Sequence, residues 1–315
     1  MSHRPSTVQA MTTRPPSLSA APRAGLPRLA AFDIDGTLIS RRGALSDRTA
    51  AALESLAEAG VITALATGRP WPQTEWILRL APSFSYAVCL NGAVVMDAMA
   101  GERIADRSMT HFEAIEAAEI ARKFLPDVSF GLDLADGRHL WEHRFAPQMP
   151  ADLIADLSES RVADAVAGVD GPVLTWLVHV PDMSPLAIVD ELSAHMPLGT
   201  EIRPSGLDMA EIAAAGVSKS AGLEIICQRY GIERRDVLVF GDGLNDVDML
   251  RWAGLGVAMS NAGEMVRSAA DCIAPTNEDD GVAVVLEAML AGEGWPSGTG
   301  GGAFVTGRSG GGSDG

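Results

Sequence analysis

The sequence predicts an α/β fold: a Rossmann-like parallel sheet core interrupted by an inserted α+β domain. Three observations predict it. Short apolar runs without polar alternation recur between helical segments, as buried parallel strands do. Several of these runs end in carboxylates, glycines or other polar residues. A middle stretch changes character, with partly polar strands and its own helices.

The first strand signal is Leu29 to Ile34 (LAAFDI), which runs into two carboxylates. Ser46 to Ala59 follows as a helix: Ser46 can cap it, Leu53, Leu56 and Ala57 share a face, and Gly60 can close it. Val61 to Ala66 (VITALA) and Tyr86 to Leu90 (YAVCL) are the second and third strands. From about 94 to 210 the signals mix. Strands are expected over Val128–Leu134, His139–Arg144, Val173–Val180 and Thr200–Ile212, the last broken near Pro204–Gly206. Helices are expected over Phe112–Leu125, Ala151–Glu159 and Pro185–His195. The α/β pattern then returns with a helix over Ser218–Tyr230 and strands at Val237–Phe240, Gly256–Met259 and Cys272–Ala274. The domains so defined are a discontinuous core, 29–93 plus 211–291, and an inserted domain, 94–210.

The two ends fall outside this pattern. Residues 1–28 hold four arginines, no acid and many Ser, Thr, Pro and Ala. That composition is shared by transit peptides, but five prolines would break an amphipathic helix, and the segment is read as a disordered tail. Residues 292–315 are Gly- and Ser-rich and read as a flexible tail.

The 315 residues carry a formal net charge of −17, from 41 acids against 24 bases. Such an excess disfavours nucleic acid or an anionic membrane as partner. The longest uncharged stretch, Leu80 to Met96, holds Pro82, Ser83, Ser85, Asn91 and Gly92 and is too short and too polar to span a bilayer. Cys89, Cys227 and Cys272 sit among apolar neighbours without CxxC spacing. They are read as reduced core thiols of a cytoplasmic protein.

Ligands of open α/β sheets bind beyond the carboxyl ends of the strands, and there the informative residues gather. The first strand ends Asp33-Ile34-Asp35-Gly36-Thr37-Leu38, the second Thr67-Gly68-Arg69, and the third Asn91-Gly92. The fourth ends Gly241-Asp242-Gly243-Leu244-Asn245-Asp246, and Lys219 opens a helix after Gly216-Val217-Ser218. Asp33 and Asp35, two apart on an extended chain, leave it on the same side. Crowded carboxylates repel, and a hard dication such as Mg²⁺, which prefers oxygen ligands, compensates them. Asp33, the backbone carbonyl of Asp35, and Asp242 can supply the ligands, with Asp246 acting through water or bracing the loop. Thr67 offers a hydroxyl, Gly68 an approachable N–H and Lys219 a fixed positive charge. A phosphoryl group, with charge spread over its oxygens, needs such donors.

These motifs, in this order, resemble the haloacid dehalogenase (HAD) superfamily. Asn91-Gly92-Ala93, Glu211-Ile212 ahead of Gly216–Lys219, Met259-Ser260-Asn261-Ala262 and Asn277–Val282 are similar to its Cof-like branch, which carries a large α+β cap. The resemblance covers about 29–290. It implies a Mg²⁺-dependent phosphatase acting on small phosphorylated metabolites, sugar phosphates first, with nucleotide or flavin phosphates behind them. In that reading Asp33 is the nucleophile that becomes an aspartyl-phosphate, and Asp35 is the general acid and base. Arg69, Asn91 and Asn245, with Gly68, are substrate-side candidates; the alternatives are a salt bridge to the cap for Arg69, a turn with Gly92 for Asn91 and a loop-fixing role for Asn245. Asn277 holds a loop. His139, Arg144 and Arg203 are candidate contacts from the cap to an anionic or hydroxylated substrate, and Trp71, Trp141 and Trp176 pack the interior. The implied partner is a small phosphate ester, and the chain is expected to be a monomer or homodimer. A sugar phosphomutase would use the same aspartyl-phosphate, and a non-catalytic binding protein could keep the fold. Retention of Asp33, Asp35, Asp242 and Lys219 disfavours the latter.

Overall fold

The computed structural model describes residues 25–149, 159–292 and 305–306. The helix expected over Ala151–Glu159, apart from Glu159, which begins a strand, and most of both terminal tails lie outside the described residues.

Strand β1 (Leu29–Phe32) lies at the centre of a nine-stranded sheet, between β2 (Ile62–Ala66) and β12 (Val237–Gly241), parallel to both. Beyond β2 come β3 (Tyr86–Cys89), β4 (Val94–Asp97) and β5 (Glu102–Asp106). Beyond β12 come β13 (Leu255–Met259), β14 (Cys272–Ala274) and the two-residue β15 (Val305–Thr306). The middle strands are parallel, and β4 and β5 at one end and β15 at the other are added antiparallel.

Alternate residues of β1 feed two cores. Ala30 and Phe32 face one side with Phe240, Leu53 and Leu286, while Leu29 and Ala31 face the other with Val239, Leu223 and Ile226. Helices α1 (Asp47–Glu58) and α8 (Gly281–Leu290) cover the first face, and the short helices α2 (Glu75–Leu80) and α7 (Glu264–Arg267) lie in the connections after β2 and β13. Helices α5 (Lys219–Tyr230) and α6 (Val247–Trp252) cover the second. With both faces buried, the strands have no use for polar alternation, and each buried Leu, Val or Phe contributes roughly 1.5–3 kcal/mol. The helix starts follow the sequence. The Ser46 hydroxyl accepts from Thr49 N (3.0 Å) and that of Ser218 from Ala221 N (3.2 Å), while Gly231 closes α5 in the left-handed conformation.

A six-stranded sheet follows β5. Its order is β10 (Thr200–Pro204), β11 (Ala210–Ala214), β9 (Val173–His179), β6 (Ser129–Leu134), β7 (His139–Glu142) and β8 (Glu159–Val162). Phe130, Leu132, Trp176, Val178 and Ile212 point to one face, under α3 (His111–Phe124) and α4 (Pro185–Leu192). Trp176 Nε1 donates to Ala114 O at 3.0 Å there. The opposite face carries Gly131, Asp133, Trp141, Leu177 and Glu211.

The boundaries differ from those read in the sequence. Residues 94–106 extend the large sheet, because the tight turn at Leu90–Gly92 sends β4 straight back along β3. Strand β11, cut by the boundary drawn between 210 and 211, lies wholly in the second sheet, as a hairpin with β10. Val305–Thr306, assigned to the tail, pairs with β14. The three cysteines are free and buried, as expected, and burial pushes their thiols up to about 12. Among the described residues no helix is long and apolar enough to cross a membrane.

Candidate active site

The carboxyl ends of β1, β2 and β12 and the start of α5 converge. Gly92, at φ +106°, lets the β3–β4 turn press against α5: a Cβ there would lie 2.0 Å from Ser218 O. The turn therefore fixes the start of α5, and with it Lys219.

Lys219 is fully buried. Its Nζ donates to Asp33 Oδ1 and to Asp246 Oδ1, both at 2.6 Å. Asp246 Oδ2 accepts from the N–H groups of Asp242 (3.0 Å) and Gly243 (2.8 Å), so Asp246 also braces the loop after β12. Thr37 Oγ1 donates to Asp242 Oδ1 at 2.8 Å. Asn261 Nδ2 donates to Gly36 O at 2.9 Å and to Asp242 Oδ2 at 3.3 Å, and Asn277 Nδ2 donates to Ile39 O at 2.7 Å, holding the loop after β1 as expected.

One carboxylate oxygen each from Asp33, Asp242 and Asp246 lie within 4.8 Å of one another. Burial pushes the Asp33 carboxyl well above its usual range; Lys219 opposes this, and Asp246, Asp242 and Asp35 add to it. Burial, then Asp246, raises Asp242 to about 7. Burial alone would lower the Lys219 ammonium, but Asp246 and Asp33 outweigh it and hold it above its usual range. One ammonium thus faces three carboxylates of all-oxygen donor character. That donor set fits a hard divalent cation such as Mg²⁺.

Gly36 permits this approach. It has φ +79°, and a Cβ would fall 2.1 Å from Asp242 Oδ2. Gly36→Ala is therefore expected to lose about 1–3 kcal/mol of stability from the strained conformation. It should also raise the Mg²⁺ concentration needed for half-maximal turnover by displacing Asp242. Thermal melts and a Mg²⁺ titration check both, and an unchanged Mg²⁺ requirement would contradict the second.

Several candidates sit differently from their expected roles. Arg69 lines the cleft, but its guanidinium pairs with Asp35 in bidentate fashion (Nε to Oδ2 2.8 Å, Nη2 to Oδ1 2.6 Å). The Asp35 carboxylate thus points to Arg69 and stands outside the three-acid cluster, so its expected share in a cation rests on the backbone carbonyl. The Thr67 hydroxyl, 1% exposed, accepts from Arg69 N at 3.1 Å. Asn91, expected on the substrate, instead links two side chains: it accepts from Asn245 Nδ2 (2.9 Å) and donates to Glu211 Oε2 (2.6 Å). Gly68 and Asn245 line the cleft.

None of the three cap contacts reaches the cleft. Arg203 pairs with Glu201 and borders a neighbouring cavity that shares Glu211 and Asn245 with the cleft. Arg144 is exposed, 3.6 Å from Asp127. The Nδ1 of His139 bonds Asp133 Oδ1. Of the tryptophans, Trp176 is core, Trp71 packs partly against it, and Trp141 is both buried and part of the cleft wall. Asp133, Gln73 and Ser205 are polar lining residues that the sequence did not single out, and Glu211 stood there only as part of a motif, without a place in the cleft. The alternation in Ser129-Phe-Gly-Leu-Asp-Leu134 was the available signal for Asp133.

Glu211 is half-buried, and burial pushes its carboxyl up to about 7, against the pull of Asn91. A carboxyl whose folded value exceeds its unfolded one binds its proton more tightly when folded. Stability is then lost as pH rises from the ordinary carboxylate range through about 7. In EDTA, Glu211→Gln is expected to lose less melting temperature between pH 5 and pH 8 than the parent; parallel losses would contradict this.

Carboxylates, a hydroxyl and one buried ammonium at the ends of parallel strands are the equipment of a phosphatase. The model of the haloacid dehalogenase-like hydrolases matches residues 30–286, so the chain belongs to that family, and it is a phosphate monoester hydrolase. Among curated relatives, the 5-amino-6-(5-phospho-D-ribitylamino)uracil phosphatase YcsE of Bacillus subtilis is 25% identical over 263 residues, 82% of this chain and 94% of the relative. The pyridoxal phosphate phosphatase YbhA of Escherichia coli is 27% identical over 273 residues, 84% and 98% of the two chains. The phosphatase BT1666 from Bacteroides thetaiotaomicron has a similar structure, with TM-score 0.70 and 25% identity, covering 86% of this chain and 98% of its own. The subclass IIB sugar phosphatase BT4131 matches with TM-score 0.70 and 26% identity, over 82% and 98%.

Proposed function

We propose that the chain is a Mg²⁺-dependent phosphatase of small phosphorylated metabolites that works through an aspartyl-phosphate on Asp33. The observation that carries this is Lys219, buried between Asp33 and Asp246 at 2.6 Å from each, with Asp242 in the same cluster.

Asp33 and Asp242, with Asp246 behind them, would hold the cation, which neutralises phosphoryl oxygens. Lys219 aligns the Asp33 carboxylate and offsets its charge. An Asp33 oxygen attacks phosphorus as the bond to the leaving oxygen breaks. Asp35, protonated, gives its proton to that oxygen and the alcohol departs. Asp35 then takes a proton from water as the water oxygen attacks phosphorus. The bond from Asp33 to phosphorus breaks, inorganic phosphate leaves, and both carboxyls return to their starting states. For these transfers Asp35 has to leave its bidentate contact with Arg69. In this reading Thr67 would offer a hydroxyl and Gly68 an N–H to the phosphoryl oxygens.

The second sheet serves as the cap. Its open face and the core enclose a cavity of about 110 Å³ that would exclude bulk water. The substrates are small phosphate esters, sugar phosphates among them; YcsE and YbhA, named for esters of ring-bearing alcohols, add that class.

Phosphate release from a panel of phosphorylated metabolites, with Mg²⁺ or with EDTA, tests the reading. Release that depends on Mg²⁺ is expected. Release undiminished by EDTA would contradict the cation's part.

A further inference from the structure

We infer that the cap side of the cleft is a leaving-group subsite that takes an uncharged or cationic, hydrogen-bond-donating alcohol with an apolar body, and rejects anionic ones. Asp133 and Glu211 read the donor. This rests on the phosphatase reading of the same cleft.

The subsite is built by register. Gly131 pairs with Trp141 on one side and Leu177 on the other, and Leu177 pairs with Glu211. All four therefore lie in one row on the open face of the second sheet. Gly131 leaves room for the wall behind it: a Cβ would lie 2.5 Å from Phe145 Cε1. Asp133 is two residues along the same strand, on the same face. Trp141, Leu177, Met149 and Leu207 give the cavity an apolar wall, and Asp133 and Glu211 are its acids.

Both acids are held in place. The Nδ1 of His139 engages Oδ1 of Asp133, which is 5% exposed, and Asn91 engages Oε2 of Glu211 at 2.6 Å. In each case the second oxygen is left for a ligand. Each oxygen accepts hydrogen bonds from a hydroxyl or an ammonium and repels a carboxylate or second phosphate.

Among the described residues, their side-chain partners are the His139 ring for Asp133 and the Asn91 amide for Glu211. Among the described lining residues the basic side chain is Arg69, and it is bound to Asp35. Asp33, Asp35 and Asp242 line the same cavity, so an anionic substituent would enter a field of five carboxyl groups. Lys219 and a bound cation serve the phosphoryl end alone. A site whose polar groups suit one partner discriminates strongly against one that leaves them unpaired or repelled.

The test uses full-length protein and three matched esters: benzyl phosphates carrying a meta-hydroxymethyl, a meta-aminomethyl or a meta-carboxy group. Para-nitrophenyl phosphate reports bare phosphatase activity. With Mg²⁺ present, kcat/KM for the hydroxymethyl and aminomethyl esters is expected to exceed that for the carboxy ester by about tenfold or more. Asp133→Asn should narrow the gap by raising the carboxy ester relative to the others, and Glu211→Gln should do the same if the first variant does not fold. Equal turnover of the three esters by the parent, or an unchanged ratio in the folded variants, overturns the inference. Para-nitrophenyl phosphate cleaved with flat ratios overturns the subsite alone. No release from any ester overturns the phosphatase reading and the subsite with it.

Discussion

Asp33→Asn is expected to lose about 10⁴-fold or more in kcat while keeping its fold, because it removes the attacking oxygen and a cation ligand together. The amide is nearly isosteric with the carboxylate, so the cavity between β1 and Lys219 stays filled. Lys219 keeps its other partner, Asp246, at 2.6 Å. The parent carboxylate is buried among like charges, which is why its carboxyl sits so far above the usual range. A neutral amide does not bear that desolvation cost. The melting temperature of the variant should therefore match or exceed that of the parent in EDTA, and Mg²⁺ should stabilise it less. Steady-state kinetics and melts with and without Mg²⁺ check this. Turnover within about tenfold of the parent would contradict the nucleophile assignment.

The second large effect belongs to Lys219. Replacing it by Met keeps the volume but strands Asp33 and Asp246 in the interior. Removing one partner of a buried ion pair typically costs about 3–5 kcal/mol, and loss of a fixed donor to transition-state charge costs about 10²–10³ in kcat. Lys219→Met should therefore lose both stability and rate at neutral pH. The pH dependence separates it from an ordinary core defect. With the ammonium gone, the carboxyl of Asp33 rises further. As pH falls through that raised value the proton neutralises it, and stability returns. A variant whose deficit relative to the parent is the same at pH 5 and pH 8 would contradict this electrostatic account.

Much of this was legible in the sequence because the informative elements are local. LAAF runs directly into Asp33, VLVF into Gly241-Asp242, and the Ser218 cap announces the helix that carries Lys219. Parallel strands put these ends on one edge of the sheet, so linear order was enough to predict their convergence. What the sequence concealed are contacts between distant side chains. Arg69 was read as a substrate contact, but its planar fork is taken by Asp35, 34 residues away in the chain. Asn91 joins Asn245 and Glu211 across separations of 154 and 120 residues, which no spacing rule encodes. The cap contacts failed for a similar reason. A strand pattern tells which residues share a face, but not which face turns to the cleft, and Glu201 and Asp133 claimed Arg203 and His139. The inserted domain's limits slipped at both ends, because β4 and β11 are hairpin partners of strands assigned to the other sheet and no linker marks the change.

The most direct test of the central claim is to trap the phosphorylated enzyme. Full-length protein is mixed with a hydrolysed substrate and Mg²⁺, quenched in acid within a single turnover, and mapped by peptide mass spectrometry. Phosphate is expected on Asp33, absent from Asp33→Asn and gone once substrate is exhausted. Rapid turnover with no phosphate on Asp33 at any quench time, or phosphate on another residue that persists in Asp33→Asn, would contradict it.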